Sequence, residues 1–408
     1  MPVALRVRAV RDLDEYRAAL GVIGHYFAWQ PAAAEVERLA TLMPLERVFA
    51  AFDGDQIVGG CGAYPLELTI PGGRLPCAGV TVVGVLPTHR RQGVMTRLMR
   101  STHRDVRERG EPLAGLWASE ETIYGRYGYG LATVCLQIRG DREGIGLRAG
   151  LPDREGRVRM VDHEEALVAF PRIYERVRRS QVGSLRRSRD WWEIRKLDDD
   201  PERRRGGGPL NRVLLELDGE PAGYALYRVV AIRERDEWRQ TVRVIEAVGV
   251  DPRATREIWR FLLSIDWMNE LEVWFLPLDH PLLQIVAHVN ELHARLGDGL
   301  WLRLMDVPTA LAARSYATDG RVTIEVASDP IVRENVGTWT IEGGSAQRST
   351  RRADVRLDIQ ALAAVFLGGT TLTQLAAAER VEEVARGGLR RADALFRTSA
   401  QPWCPETF

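Results

Sequence analysis

The feature that most limits the fold is a pattern that occurs twice along the chain. "VVGVLPTHRRQGVMTRLMR" (residues 82–100) and "AVGVDPRATREIWRFLL" (residues 247–263) share Val-Gly-Val-x-Pro, followed by apolar residues at helical spacing. Each copy lies between a predicted strand and a predicted helix, within a similar series of strands and helices. The repetition predicts a duplicated α/β domain whose two copies share a strand–turn–helix unit.

Hydrophobic periodicity gives a mixed α/β (α+β) fold class. Helical spacing occurs in "EYRAALGVIGHYFAWQ" and "VMTRLMRSTHRDVRERG", whereas "QIVGGCGAYPLELTI" and "VTVVGVLP" have the apolar runs and Gly/Pro punctuation of strands. After about residue 300 the composition changes. "RVTIEVASD", "GTWTIEGG" and "ADVRLDI" then predict antiparallel strands, and "IQALAAVFLGG" and "TLTQLAAA" predict short helices.

Composition excludes several classes of protein. The chain has 408 residues, 56 basic and 56 acidic, so a nucleic-acid binder, which needs a basic excess, is not expected. No apolar stretch is long enough to span a membrane, and the first twenty residues have arginines and acids where an export signal needs an apolar core. The four cysteines and seven histidines are scattered. We therefore expect a cytoplasmic protein without a disulfide framework or a metal site.

The first copy of the repeat contains a stretch that the second lacks, Arg90-Arg91-Gln92-Gly93-Val94-Met95-Thr96. It joins the strand to the helix, and a helix start offers unpaired N–H groups and the positive end of the helix dipole. Gly93 allows close backbone approach, and Arg90 and Arg91 add donors suited to phosphate. The stretch predicts a pyrophosphate site. A basic helix terminus that only faces water is the alternative.

"RRQGVM" resembles the acyl-CoA pyrophosphate loop of the GNAT N-acetyltransferases, Arg-x-x-Gly-x-(Gly/Ala), with Met95 where most members have a small residue. The resemblance implies acetyl-CoA as co-substrate. It also places Val83, Gly84 and Val85 on a strand that bulges and splays from its neighbour, which frees backbone groups to pair with pantetheine. An N–H at the bulge would polarise the thioester carbonyl.

Two further stretches, "SEETIYGRYGYG" and "DPIVRENVGTW", together with "VGVLPTHRRQGV", resemble the enhanced intracellular survival (Eis) family, which are aminoglycoside and lysine N-acetyltransferases. The resemblance spans the chain and implies three domains. These are a GNAT domain with the acetyl-CoA site at residues 1–135, a GNAT-like domain without a cofactor loop at 136–298, and a sterol carrier protein-like domain at 299–408. It also implies a homo-hexamer.

Acetyl transfer to an amine needs a proton for the departing thiolate, and a tyrosine can supply it. Tyr124, Tyr127 and Tyr129 compete for this role on residue type alone. The family motif implies Tyr124 as the general acid and packing roles for the other two; an aromatic packing cluster is the alternative. Ser119 and Glu120 match family positions that contact the cofactor.

The chain ends in "QPWCPETF", which is apolar and stiff where a terminus is usually polar. We therefore expect the last residues to be docked. The resemblance implies that the α-carboxylate of Phe408 is the general base. Its ordinary pKa is about 3.5, and we expect burial and the neighbouring Glu406 to raise it. Docking without a catalytic role is the alternative.

The expected function is N-acetylation of aminoglycosides or similar polyamines by direct transfer from acetyl-CoA. A polycationic substrate needs aromatic faces and acids, for which Phe27, Trp29, Trp117 and Glu406 are candidates, although such aromatic residues are also common in cores. Two alternatives are open: a protein lysine N-acetyltransferase, and a non-catalytic protein that binds acyl-CoA or lipid.

Overall fold

The computed structural model describes residues 5–234 and 237–408. Residues 5–133 form strands and helices in the mixed order that the periodicity predicts. The strands are β1 (Arg6–Ala9), β2 (Val48–Asp53), β3 (Gln56–Ile70), β4 (Gly73–Val85), β5 (Leu113–Leu116) and β6 (Gly130–Leu131). The helices are α1 (Leu13–Phe27), α2 (Ala33–Leu42), α3 (Val94–Glu108) and α4 (Glu121–Tyr124).

Residues 134–299 repeat this mixture. The strands are β7 (Val134–Asp141), β8 (Arg157–Met160), β9 (Asn211–Leu217), β10 (Glu220–Glu234), β11 (Glu237–Gly249), β12 (Glu270–Leu276) and β13 (Arg295–Asp298). The helices are α5 (Arg142–Ile145), α6 (His163–Arg178), α7 (Arg189–Trp191), α8 (Pro252–Leu263) and α9 (Leu282–Ile285).

The last part of the chain has shorter elements. The strands are β14 (Trp301–Leu304), β15 (Val322–Val326), β16 (Gly337–Glu342), β17 (Ser345–Arg348), β18 (Val355–Leu357) and β19 (Val381–Glu383). The helices are α10 (Val307–Ala313), α11 (Ile359–Phe366), α12 (Leu372–Ala377) and α13 (Gly388–Phe396). No helix in the described ranges is long and apolar enough to cross a membrane.

The chain divides into two compact units. The first contains the residues up to Thr133, residues 300–399 and residues 406–408; the second contains residues 134–299 and 400–405. In the first unit, one sheet has the order β1-β2-β3-β4-β5-β14-β6. Its core packs the sheet against α3 through Val94, Leu98 and Met99. Strand β14 thus belongs to the same sheet as the first strands of the chain.

A second sheet of the first unit, β17-β16-β15-β18-β19, contains the strands predicted after residue 300. Helix α11 is buried except at Gln360, and its N-cap is Asp358, whose side chain accepts a hydrogen bond from Ala361 N–H. The prediction that these strands are all antiparallel is wrong in one place. Strands β15 and β18 are parallel, with Ile324 opposite Val355, because the chain crosses over between them instead of turning back directly.

The second unit is a sheet of order β13-β7-β12-β11-β10-β9-β8 with a core on each face. Successive residues of β9 alternate between the two faces. Leu215 packs in the core that contains Trp259 of α8, and Leu214 packs in the core that contains Phe170 of α6.

The duplication predicted from the repeated pattern is present. The series β2-β3-β4-α3-β5 of the first unit recurs as β9-β10-β11-α8-β12 in the second, with an antiparallel hairpin followed by a parallel strand in each. Both long hairpins also contain a register shift, between Gly60 and Gly62 in β3 and between Leu226 and Tyr227 in β10.

Candidate active site

Strands β4 and β5 separate in the middle of the first sheet. They pair in parallel only from Cys77–Leu113 to Gly79–Gly115. Strand β4 then continues to Val85, so its edge from residue 80 to 85 has no second strand partner in the described part of the chain. This edge is about 17 Å long at 3.3 Å per residue. Its free backbone groups are available to pair with an extended ligand.

A β-bulge lies on the free edge. Gly60 is opposite Gly84 and Gly62 is opposite Thr81, so β4 has one extra residue at this point. Val82 has a φ of 49°, which is rare for a β-branched residue. The predicted cofactor residues Val83, Gly84 and Val85 directly follow this strained position, and the bulge aims their backbone groups differently from those of a regular strand.

The predicted pyrophosphate loop connects β4 to α3. The short 3₁₀ turn Pro87–His89 comes first, and His89 Nε2 lies 3.1 Å from Asp53 Oδ2. The Gln92 side chain then donates to the Thr88 carbonyl at 3.2 Å. Arg91 and Gly93 both have positive φ, at 61° and 78°. The loop is therefore held in shape by an internal hydrogen bond and by a contact with the end of β2.

Helix α3 begins at this loop without a side-chain cap. Its N-cap residue is Gly93, and the first turn contains no acidic residue. A Cβ on Gly93 would meet no atom within 4 Å, so the space beside it is open. Uncapped amides and the helix dipole favour an anion at this position.

The side chains of the loop divide into two sets. Arg90, Arg91 and Gln92 are exposed, and neither arginine has an ion-pair or hydrogen-bond partner among the residues described. Val94 is buried, and Met95 packs against the core of the first unit, so the large side chain at this position points away from the open space. The Thr96 hydroxyl lies 3.2 Å from that of Tyr127.

In the second copy of the repeat, a carboxylate side chain occupies the start of the equivalent helix, α8. Asp251 is the N-cap of α8 and accepts a hydrogen bond from Ala254 N–H at 2.8 Å. Pro252, at the first helical position, has no N–H to offer. A helix start that is already capped by a carboxylate, and that begins with a proline, offers fewer free donors to a phosphate and repels its charge. The equivalent helix in the first unit is open.

Tyr124 ends the short helix α4, which follows β5. It is buried in the core that also contains Val80 and Leu116, residues of the two separating strands. Burial raises the pKa of Tyr124 to about 12, with Cys61 acting in the same direction, whereas a hydrogen bond from the Ser119 side chain lowers it. The hydroxyl is therefore protonated at neutral pH.

The residues around Tyr124 differ in burial and in hydrogen bonding. The Glu120 carboxylate accepts a hydrogen bond from the Thr122 hydroxyl at 2.8 Å. Tyr129 is fully buried, edge-on to Tyr124 with ring centroids 6.2 Å apart. Tyr127 is also buried. The packing expected of Tyr127 and Tyr129 is present.

The last residues are docked, as their composition predicts. In the second unit, Trp403 donates from its backbone N–H to Val182 and from its indole to the Phe275 carbonyl, at 2.8 and 2.9 Å. Lys196 binds the Pro405 carbonyl at 3.1 Å. Glu406 and Phe408 belong to the first unit.

Phe408 lies at the point where β4 and β5 separate. A Cβ on Gly79, the last residue of β4 that pairs with β5, would be 3.1 Å from Phe408 Cε2. The ring is edge-on to Tyr64, which is opposite Gly79 in β3. Phe408 is half-buried, whereas only 2% of Glu406 is exposed.

The other predicted substrate contacts lie on α1, just beyond it, and after β5. Phe27 ends α1 and is 61% exposed. The half-buried Trp29 donates from its indole to Glu35 at 3.1 Å. Trp117 directly follows β5 and is half-buried. Of the three aromatic candidates, Phe27 is the most exposed, so a role in core packing explains its position least well.

Four residues of the site were not predicted from the sequence. These are Val82 at the bulge, Tyr26, whose hydroxyl donates to the Val85 carbonyl at 2.6 Å, and the pair Tyr64 and Gly79 beside Phe408. One available signal was the frequency of glycine within β3 and β4, because glycine in a strand often marks a bulge or a close approach.

Comparisons with protein families agree with this architecture. Two models described as acetyltransferase (GNAT) domains match residues 6–132 and 183–304, and a model described as a sterol carrier protein domain matches residues 307–405. A solved structure, a GCN5-related N-acetyltransferase from Anabaena variabilis, shares the fold with a TM-score of 0.82 at 20% identity, covering 99% of this chain and 100% of that one.

Closer relatives cover almost the whole chain. An uncharacterized N-acetyltransferase of Streptomyces avermitilis is 36% identical over 382 residues, 92% of this chain and 93% of that protein. The N-acetyltransferase Eis of Mycobacterium tuberculosis is 33% identical over 369 residues, 87% of this chain and 88% of Eis. The crystal structure of Eis1 from Mycobacterium abscessus matches with a TM-score of 0.85 and 33% identity, covering 99% and 100% of the two chains. The chain is an N-acetyltransferase of the Eis family, with two GNAT domains and a sterol carrier protein-like domain.

Proposed function

We propose that this protein transfers the acetyl group of acetyl-CoA directly to amines of aminoglycosides or similar polyamines. The observation that carries the proposal is that groups without a protein partner follow one another along one strand of the first unit. An uncapped helix start with unpaired arginines is followed along β4 by a free strand edge, and that edge ends beside Phe408. GNAT acetyltransferases use acetyl-CoA, and an extended thioester fits this path.

The loop and the free edge would hold the co-substrate. Backbone N–H groups at the start of α3 and the guanidinium groups of Arg90 and Arg91 suit the pyrophosphate, with Gln92, Gly93, Val94, Met95 and Thr96 completing the loop. Val83, Gly84 and Val85 offer backbone groups along the edge, and Ser119 and Glu120, which follow β5, are further proposed contacts of the co-substrate. Acetyl-CoA would supply an activated acetyl group, and the CoA thiolate released when that group is transferred must be protonated.

Tyr124 is the proposed general acid. Its hydroxyl holds a proton at all physiological pH values, because burial raises its pKa to about 12. A thiolate has an ordinary pKa of about 8.5, and burial in the same cleft raises that value too. The Ser119 hydrogen bond favours the phenolate that forms when Tyr124 gives up its proton.

The α-carboxylate of Phe408 is the proposed general base. The ring is fixed by contacts with β3 and β4 where the free edge begins, which holds the rest of the residue near the reacting end of an extended co-substrate. A carboxylate there can accept a proton from an ammonium substrate, directly or through water. Phe27, Trp29, Trp117 and Glu406 are the proposed substrate contacts, by cation–π and charged hydrogen bonds.

We also propose a cytoplasmic homo-oligomer, a hexamer by resemblance to the family. All four cysteines are buried and free, which fits a reducing compartment. Strands of the second unit expose apolar side chains that an interface would cover, namely Ile232, Ile245, Trp274 and Leu296. Light scattering coupled to size-exclusion chromatography measures the assembly directly, and a monomer would contradict this part of the proposal.

Release of free CoA from acetyl-CoA tests the function. We expect release with a panel of aminoglycosides, and acetylated products by mass spectrometry. Tyr124→Phe should lower turnover by about 100-fold or more, the usual contribution of a general acid, with unchanged binding of CoA. Tyr316→Phe removes the hydroxyl of a half-buried tyrosine that donates to the Leu311 carbonyl, and serves as the matched control.

Other outcomes favour the alternatives. Acetylation of lysine peptides without acetylation of any aminoglycoside indicates a protein lysine N-acetyltransferase. Binding of CoA without turnover of either class indicates a non-catalytic acyl-CoA-binding or lipid-binding protein. Full turnover in Tyr124→Phe excludes Tyr124 as the acid.

A further inference from the structure

A cavity in the first unit lies outside the proposed acetyl-transfer site. Its volume is about 860 Å³, within the range of small-molecule sites. It is lined by the second half of α3, by the residues that lead into α10, and by the segment 330–335. None of the residues proposed for acetyl transfer lines it.

The cavity wall contains a buried histidine with one unused nitrogen. His103 is 1% exposed, and its Nε2 lies 3.0 Å from the Tyr129 hydroxyl. Its Nδ1 is buried and has no hydrogen-bond partner in the described part of the chain. Such a group costs about 1–3 kcal/mol if it stays unsatisfied. His103 lines the cavity and Tyr129 does not, so the Nδ1 edge is the one left for a ligand.

The charge state of His103 fits a donor role. Burial lowers its pKa to about 3, with Arg303 acting in the same direction and Asp329 in the opposite one. The ring is therefore neutral at physiological pH and has one N–H. If the Tyr129 hydroxyl donates to Nε2, that N–H is on Nδ1 and can donate to a ligand.

Exposed arginines surround the cavity. Arg100 and Arg104 are one turn apart on α3, and Arg333 lies on the opposite wall. All three are exposed, without an ion-pair or hydrogen-bond partner among the residues that the structure describes. A fourth arginine, Arg107, is 3.5 Å from Glu334.

The acids that line the cavity are mostly engaged elsewhere. Glu111 forms a buried, two-point pair with Arg47 at 2.8 and 2.6 Å. Asp306 caps α10 and accepts from Thr309 N–H at 3.1 Å. Glu334 pairs with Arg107, another residue of the lining, and Glu108 is the acid that remains. The unpaired charge around the cavity is therefore positive.

The wall opposite α3 is held in a fixed shape. Asp329 forms a fully buried pair with Arg303 and accepts from the backbone N–H groups of Ile331 and Val332, each at 2.9 Å. Asn335 donates to the Leu304 carbonyl at 3.1 Å. A preorganised wall lowers the cost of ordering it around a ligand.

We propose that this cavity binds a small anion with two or more carboxylate or phosphate groups. One group accepts a hydrogen bond from His103 Nδ1–H, and the others pair with the guanidinium groups of Arg100, Arg104 and Arg333. The site is separate from the pyrophosphate loop at the other end of α3 and does not depend on the acetyl-transfer activity.

Calorimetric titration of the full-length protein with citrate and with pyrophosphate tests the site. We expect binding of at least one probe, weakened at least tenfold in the double variant Arg100→Glu/Arg104→Glu. Arg172→Glu changes an exposed helical arginine of the second unit and should leave binding unchanged. Tighter citrate binding identifies a carboxylate ligand, and tighter pyrophosphate binding a phosphate ligand.

A second double variant separates this site from the loop. Arg90→Ala/Arg91→Ala should retain binding of the probe at the cavity. No binding to the unmodified protein, unchanged binding in Arg100→Glu/Arg104→Glu, or loss of all binding in Arg90→Ala/Arg91→Ala would each overturn the proposal.

Nitrogen-15 NMR of the histidine side chains reports on the ligand contact itself. The signal of His103, assigned with His103→Gln, should be that of a neutral ring, and its Nδ1 resonance should shift when the probe is added. A His103 signal that stays constant while the probe binds would show that the anion does not use this residue, and would overturn the proposed contact.

Discussion

The ring of Phe408 stands edge-on to that of Tyr64, with centroids 6.4 Å apart and an interplanar angle of 86°. Tyr64 lies opposite Gly79, the residue at which β4 stops pairing with β5. Phe408 thus lies beside the start of the free edge of β4, the strand that leads to the predicted pyrophosphate loop. A mobile terminus would not give its carboxylate a defined position.

Adding one glycine after Phe408 should abolish most turnover. The addition moves the carboxylate by about 3.5 Å and leaves the Phe408 ring in place. A general base contributes about 10²- to 10⁴-fold, so we expect a loss of at least 100-fold in kcat with an unchanged melting temperature.

Phe408→Leu is the complementary variant, because it keeps the carboxylate and removes the aromatic contact. An aromatic pair contributes about 0.5–1.5 kcal/mol, so its turnover should fall by no more than about tenfold. Full activity of the extended protein would exclude the carboxylate as the base.

Gly79→Ala should disturb the packing of Phe408. The new methyl group would be 2.5 Å from Leu66 Cδ1, so Leu66 must move, and 3.1 Å from Phe408 Cε2, so the ring must shift slightly. We expect kcat to fall, but by no more than the roughly tenfold expected for Phe408→Leu. Gly73→Ala, in the same strand, places a methyl 3.6 Å from the nearest atom and should have little effect. Equal kinetics in the two variants would show that the position of Phe408 does not matter.

The parts of the site that follow from local chemistry could be predicted from the sequence. The start of α3 is one such part, because a glycine between a strand and a helix marks a backbone position with positive φ, and the neighbouring arginines supply the positive charge. The bulge at Val82 is different: its positive φ depends on pairing with β3 and has no signature in valine itself. The place of β14 in the first sheet is also not evident from the sequence, because Trp301–Leu304 pairs with β5, a strand that is distant along the chain.

Gly93→Ala should weaken the binding of acetyl-CoA in addition to lowering the stability of the fold. Its φ of 78° costs a residue with a Cβ roughly 1–2 kcal/mol. Gly110, just past the other end of α3, is a matched control, with a φ of 71° and no atom within 4 Å of a new Cβ. Both variants should lose similar stability, but only Gly93→Ala should raise KM for acetyl-CoA. A similar KM in both would contradict the loop's role.

Ser119→Ala should slow the acid step. The hydrogen bond from Ser119 lowers the pKa of Tyr124, so its loss raises that pKa further and makes the hydroxyl a weaker acid. One hydrogen bond is worth about 0.5–1.5 kcal/mol, or roughly two- to tenfold in kcat. Thr122→Val removes a nearby hydroxyl that bonds to Glu120 and is the control. A change in KM for acetyl-CoA alone would instead make Ser119 a cofactor contact.

Acid should unfold the second unit through Glu246. This carboxylate is fully buried, which opposes its ionisation, but Arg187 and Lys196 outweigh burial and hold its pKa well below the usual range. Arg187 pairs with it at 2.8 and 2.6 Å, and Lys196 at 3.0 Å. A lowered pKa stabilises the fold above the ordinary glutamate pKa of about 4.3, and this contribution is lost as pH falls through the folded-state value.

Glu246→Gln leaves the two cations without their counter-charge, so the free energy of unfolding should fall by about 3–5 kcal/mol at neutral pH. The dependence of stability on pH below about 4.3 should also become weaker than in the unmodified protein. Glu193→Gln removes an exposed pair with Arg189 and should cost less than about 1 kcal/mol. Denaturant titrations of the three proteins between pH 7 and 3 measure both effects. Equal stability of Glu246→Gln and Glu193→Gln would show that the buried cluster does not depend on its carboxylate.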